Sequence, residues 1–234
     1  MEKQRRVFLK LSGEALADKE NGGYSLDVVK DVAKQVKESA DAGVQVGVII
    51  GGGNYWRGRT GTEIDRTKSD QIGMLATVMN CIYVSEVFRS VGLKTEIFTP
   101  FAVGAMTKLF SKDEANAAFE NGKVCFFAGG TGHPYFSTDT GVVLRAIEME
   151  ADMVLLAKSI DGVYDKDPMK YPDAVRYDTV SIATLVEKKL DVIDHTASMM
   201  CEDNHLPLAV FDLREENSIR NALNGQINGT IVTA

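Results

Sequence analysis

Several common protein classes are excluded by what this chain has little of. Its three cysteines, Cys81, Cys125 and Cys201, are widely spaced, odd in number and without a CxxC pair. A disulfide framework and a cysteine-built zinc site are therefore not expected, and buried reduced thiols fit a cytoplasmic protein. Only five prolines occur in 234 residues, with no Pro/Ser-rich linker, so residues 1–234 read as one domain large enough for a well-buried core. Positive charge is short as well. Twenty-six Lys and Arg stand against 33 Asp and Glu, a net charge of −7, which argues against a nucleic-acid partner. No apolar stretch is read as approaching a membrane span. The basic start, Met1 to Arg6, passes into about five apolar residues, too few for a signal peptide. A soluble, cytoplasmic protein with no membrane partner is expected. Familiar motifs are missing too. Without GxxxxGK[ST] or GxGxxG there is no P-loop and no dinucleotide fingerprint. Without GxSxG, HExxH or clustered Cys and His there is no hydrolase elbow or zinc site.

What the chain does have is three apolar runs that each empty into glycine. Val7-Phe8-Leu9-Lys10-Leu11 precedes Ser12-Gly13-Glu14, and Val46-Gly47-Val48-Ile49-Ile50 precedes Gly51-Gly52-Gly53-Asn54. Val124-Cys125-Phe126-Phe127-Ala128 precedes Gly129-Gly130-Thr131-Gly132. Such runs, with helical segments between them, read as buried parallel strands. Further strands are predicted at 94–98, 153–157, 208–212 and 230–232. Helices are predicted after the first loop (Val29 to Ala40, with Gly43 as cap), from Asp70 to Val91, and from Asp139 to Glu150. A Ser111–Glu114 capping box should open a short helix, and others are predicted at about 181–189, 194–203 and 215–224. The alternation predicts an α/β fold, a three-layer αβα sandwich with a mainly parallel central sheet.

Ligands of open parallel sheets bind beyond the carboxyl ends of the strands. Glycine turns there let backbone N–H groups approach phosphate. Lys10 lies two residues before the first turn and Arg57 four beyond Gly53. Phosphoryl transfer needs little from a protein beyond positioning and such fixed cations.

Lys10-Leu11-Ser12-Gly13-Glu14-Ala15-Leu16, together with Ile50 to Asn54 and Arg57-Gly58, resembles the amino-acid-kinase fold family. Asp70 to Asn80 and Gly130 to Asp139 narrow the resemblance to its bacterial uridylate (UMP) kinase branch, from the first strand to Val232. The resemblance implies ATP-dependent phosphorylation of UMP to UDP with Mg²⁺, on the route to pyrimidine nucleotides. It puts Lys10, Leu11, Ser12 and Gly13 around the ATP phosphates with Gly53 and Arg57 beside them, and Lys158, Tyr164 and Asp167 in the adenosine pocket. Gly52 and the loop Thr131, Gly132, His133, Pro134, Tyr135, Phe136, Ser137 and Thr138 would hold UMP, with Asp70 on its ribose. Asp139 and Asp194 would act with Lys10 and Arg57 as the catalytic set, organising the transferring group, its magnesium or the lysine. A homohexamer activated by GTP and inhibited by UTP is implied, with the segment Asp18 to Tyr24 as a candidate for the GTP response. His133 stands where many relatives carry Asn, and no second lysine stands near Asp194, which leaves the second transition-state cation to Arg57, Mg²⁺ or a group the sequence does not identify.

Simpler readings stand beside these. Lys10 could be an edge lysine, Asp70 or Asp139 only helix-start carboxylates, and Trp56 a packing or interface residue rather than a base platform. His195 and His205 fit structural or exposed roles. Asp70 to Val91 carries more apolar surface than one core stripe needs, which points to subunit contact. The competing functions are a carboxylate or carbamate kinase of the same fold, or a catalytically silent nucleotide sensor.

Overall fold

In the computed structural model, which describes residues 4–18, 23–56, 63–190 and 192–234, the three glycine-terminated runs become neighbouring strands. They are β1 (Arg6–Leu11), β2 (Gln45–Ile50) and β5 (Lys123–Phe127), adjacent in a nine-stranded sheet. The others are β3 (Lys94–Thr99), β4 (Lys108–Leu109), β6 (Met153–Lys158), β7 (Thr179–Ser181), β8 (Leu208–Asp212) and β9 (Gly229–Thr233). The spatial order is β4-β3-β5-β2-β1-β6-β8-β9-β7, and every pairing is parallel except β8 with β9.

Side-chain alternation divides the core into two layers. Val7, Leu9, Leu11, Val48 and Ile50 face α1 (Leu26–Asp41), α2 (Arg66–Ser90) and α7 (Ser218–Leu223). Phe8, Ile49, Cys125 and Phe127 face the opposite layer. That layer is α3 (Lys112–Glu120), α4 (Thr138–Glu148), α5 (Ile182–Glu187) and α6 (His195–Asp203). Period-two strands between helices on both faces produce the expected three layers.

The structure corrects several local expectations. Helix α2 starts before Asp70: Asp65 is its N-cap, accepting from the Lys68 N–H at 3.2 Å. Asp70 is thereby freed for another role. Ser111 occupies the predicted cap of α3, but its side chain makes no capping hydrogen bond. The two- and three-residue strands β4 and β7 are too short to leave a periodic signal. Helix α2 is also long and apolar enough, by length and composition, to cross a membrane, contrary to the expectation that no stretch is. Half of its most apolar window is nevertheless buried inside this fold, and Asp70 and Asn80 on it make internal hydrogen bonds.

Candidate active site

Strand β1 lies between β2 and β6, so Lys10 is an interior residue and the edge-lysine reading fails. Alternation sends it with Phe8 toward the α3–α6 layer. There its Nζ lies 3.0 Å from Oδ1 of Asp139, in the first turn of α4. The angle is not that of a hydrogen bond. Oδ1 is buried with no described residue donating one to it, leaving the ion pair as its compensation. The helix N-terminus further favours the carboxylate there.

Leu11 on β1 pairs with Ala157 on β6, so Lys158, one residue further on, projects to the same face as Lys10. Its ammonium donates to the carbonyl of Val192. Burial lowers its pKa, Asp139 raises it and Lys10 lowers it again, with a net downward shift. The resemblance alone had placed Lys158 beside adenosine. The structure brings it into the electrostatic field of Lys10 and Asp139, a second fixed cation that sequence reading did not find.

Three cavities meet around this group. One of about 230 Å³ is lined by Lys10, Gly13, Gly52, Gly53, Thr138 and Asp139. A second, of about 160 Å³, shares Gly52, Gly53, Ser137 and Thr138 with it and extends to Trp56, Asp70, Thr131, His133 and Phe136. The third, of about 970 Å³, shares Ser12, Glu14 and Gly53, and runs out past Lys158 to Arg214 and Asn217. Gly53 borders all three. Among the described residues no group of three or more His, Cys, Asp or Glu could hold a metal ion.

The loops have their shape for local reasons. A Cβ on Gly13 would sit 2.3 Å from the Gly51 carbonyl oxygen, so only glycine lets the first two loops touch. Gly129 has φ of +80° and its N–H is held by Thr77 Oγ1 at 2.8 Å. Asp70 Oδ2 accepts from Arg66 Nε and from the Tyr135 N–H, both at 2.8 Å, and so pins the 131–138 loop to α2. Asp194 is the N-cap of α6, accepting from the Ala197 N–H at 3.0 Å. It also accepts from Ser137 Oγ and Thr140 Oγ1, which fixes the turn that presents Thr138 and Asp139, but it does not line the 230 Å³ cavity.

Other site residues from the sequence are scattered. Leu11 is wholly buried in the core, so only its backbone faces the loops. Tyr164, bound to Asp161, and Asp167, bound to Lys170, do not line the 970 Å³ cavity. Gly132, Pro134 and Tyr135 belong to the third loop without lining the 160 Å³ cavity. Arg57 lies outside the described residues, as does most of the polar segment after Asp18. Conversely, Trp56, read as packing, lines that cavity with its indole N–H on Ser69 Oγ at 2.9 Å. Arg66, Gly73, Met74 and Thr77 line it too. With Asp70 they form a helical i, i+3, i+4 stripe, a signal that was available in the sequence.

Residues 5–212 match the amino acid kinase family model. The UMP kinase of Bacillus anthracis superposes with a TM-score of 0.93 at 33% identity, covering 98% of this chain and 96% of its own. That of Ureaplasma parvum gives 0.94 at 30% identity, covering 99% and 100%. An isopentenyl phosphate kinase shares the fold at 18% identity, TM-score 0.75, covering 98% and 100%.

Proposed function

The chain belongs to the amino acid kinase family, and from that premise we propose that it transfers the γ-phosphoryl group of ATP to UMP, giving ADP and UDP. The observation that carries this reading is the meeting of a smaller and a larger cavity on a shared chamber that holds Lys10. UMP is assigned to the 160 Å³ side, its ribose hydroxyls to the second oxygen of Asp70. ATP is assigned to the 970 Å³ side, its γ-phosphate in the chamber. Mg²⁺ enters with ATP, held by the phosphate oxygens, as part of that substrate.

A phosphate oxygen of UMP attacks the γ-phosphorus in line. The bond from that phosphorus to the β,γ-bridging oxygen breaks, and ADP leaves with the electron pair. Both groups are anionic, so no proton has to be removed. Lys10 opposes the charge on the equatorial oxygens from the chamber wall, Lys158 adds positive charge from the wall of the ATP cavity, Asp139 orients Lys10, and the glycine loops present backbone N–H groups. Arg57 is assigned beside the ATP phosphates on the resemblance. Asp194 works one step back, as the residue that positions the Ser137–Thr140 turn. A cytoplasmic homohexamer with GTP as activator and UTP as inhibitor, serving pyrimidine nucleotide synthesis, completes the reading.

A panel of nucleoside monophosphates and small carboxylates, assayed with Mg-ATP for ADP release, tests it. UMP is expected to lead by up to roughly 10⁴-fold, because a site that hydrogen-bonds its substrate rejects analogues lacking the partner groups. Equal turnover of CMP or AMP would overturn the acceptor assignment. Turnover of a carboxylate alone would favour the acid-kinase alternative, and no turnover of any acceptor would favour the silent sensor.

A further inference from the structure

Asn80 is wholly buried in the middle of α2, where an unpaired amide would be strongly unfavourable. All of its hydrogen-bonding capacity is used. Nδ2 donates to the Gly51 carbonyl at 2.7 Å and to Asn54 Oδ1 at 2.8 Å. Oδ1 accepts from Asn54 Nδ2 at 3.1 Å and from the Tyr24 hydroxyl at 2.5 Å. Gly13 packs bare backbone on the same cluster, since a Cβ there would lie 2.4 Å from Asn54 Oδ1 and 2.9 Å from Asn80 Nδ2. Tyr24 is itself held by stacking on Tyr83, ring centres 4.1 Å apart and planes 10° from parallel. One side chain thus ties the second glycine loop to α2, supports the first and anchors the segment before α1.

We propose that Asn80 is a positioning residue for phosphoryl transfer, setting the Gly13 and Gly51–Asn54 loops in register around the chamber, with Tyr24 as its tether. The proposal rests on the phosphoryl-transfer reading above. Gly13 and Gly51 line the chamber beside Lys10, whereas Asn80 lines none of the three cavities. Asn80 therefore acts on the reacting atoms only through the loops. The two loops touch the nucleotide cavities at their chamber ends, through Ser12, Glu14, Gly52, Gly53 and Asn54, while Asp70, His133 and Phe136 on one side and Arg214 and Asn217 on the other form the outer walls. A loss of register should therefore fall more on kcat than on KM.

The test combines steady-state kinetics, thermal melting and amide hydrogen exchange at Gly13 and Gly51–Asn54. Asn80→Ala should lower kcat about 10²-fold, the scale of a misplacement of roughly 1 Å, with both KM values within about threefold. Tyr24→Phe keeps the ring stack and removes one hydrogen bond. It should lower kcat about three- to tenfold, with faster exchange in both loops and no more than the small drop in melting temperature that one lost hydrogen bond brings. The double variant should be no slower than Asn80→Ala alone, because the tether acts through the residue already removed. A rise in KM at constant kcat, additive losses in the double variant, or unchanged loop exchange in Tyr24→Phe would each overturn the proposal. If Asn80→Ala does not fold, Tyr24→Phe and its exchange pattern decide. If wild-type protein fails to phosphorylate UMP, the functional reading falls by itself, and the exchange data still decide whether Asn80 and Tyr24 order the loops.

Discussion

Lys10 and Lys158 lie on the same face of adjacent strands, yet folding treats their charges differently. Lys10 compensates a buried oxygen of Asp139. The folded-state pKa of Lys158 is lowered by burial, against the pull of Asp139. For a lysine shifted down, the folded state resists protonation. A stability penalty is therefore present at every pH below the folded value and fades as the pH climbs toward the ordinary 10.5. At neutral pH, Lys10→Met should lower the melting temperature, by the equivalent of about 1–3 kcal/mol for a buried group left uncompensated. Lys158→Met removes a penalised charge and should melt within about 1 kcal/mol of wild type. Both should lower kcat by about 10²- to 10³-fold, the effect of deleting a preorganised charge. Parallel kinetics and melting curves check the pair. Normal kcat in either variant would remove that lysine from the chemistry, and a larger melting loss in Lys158→Met would make it structural.

Elements differ in how well they were legible. Long periodic segments and glycine-ended strands could be read because each is specified by its own residues, as in Val29 to Val36 or Val124 to Phe127. The start of α2 was misplaced because Asp65 and Asp70 are equally good caps in sequence, and only the fold engages Asp70 with Arg66 and Tyr135. Pairing between strands also creates charge contacts that no single element shows. Glu96 on β3 accepts from Lys123 on β5 at 2.8 Å and lies 3.4 Å from Lys108 on β4. Burial alone would raise its pKa, but the Lys123 bond and the two lysine charges bring it below 4.5. The stabilisation is thus complete above pH 4.5 and is lost as the pH falls through the lower folded value. Lys123→Met should destabilise by about 0.5–1 kcal/mol near pH 7, as expected for a partly exposed pair. That deficit should shrink in denaturant titrations as the pH is taken down from 4.5 through the lower folded value. A deficit independent of pH would assign Lys123 a packing role instead.

At the scale of the whole molecule, α2 has two working faces. One carries Asp70, Thr77 and Asn80 to the loops. The other leaves Leu75, Met79 and Ile82 between 38% and 51% exposed, in an i, i+4, i+7 strip. Apolar residues at that spacing on the outside of a helix form a contiguous surface suited to a second copy of the chain. If this strip is the subunit contact of the proposed hexamer, Met79→Glu should lower the particle mass in light scattering at micromolar concentration. Secondary structure by circular dichroism should be retained. A monomeric wild type would end the assembly proposal and leave the kinase proposal standing.

The sequence by itself determined the alternation of strands and helices, the three glycine turns at strand ends and the presence of Lys10 beside the first of them. These depend on residues near one another in the chain, where periodicity and backbone preference act. Only the tertiary structure decided that Lys158 joins Lys10, that Asp194 caps α6 while holding Ser137, and that Asn80 lies beneath two loops at once. Each of those contacts depends on strand order and register. β1 pairs with β6 rather than with its sequence neighbours alone, because the order of strands is settled by how the assembled layers pack and leaves no mark in any local pattern.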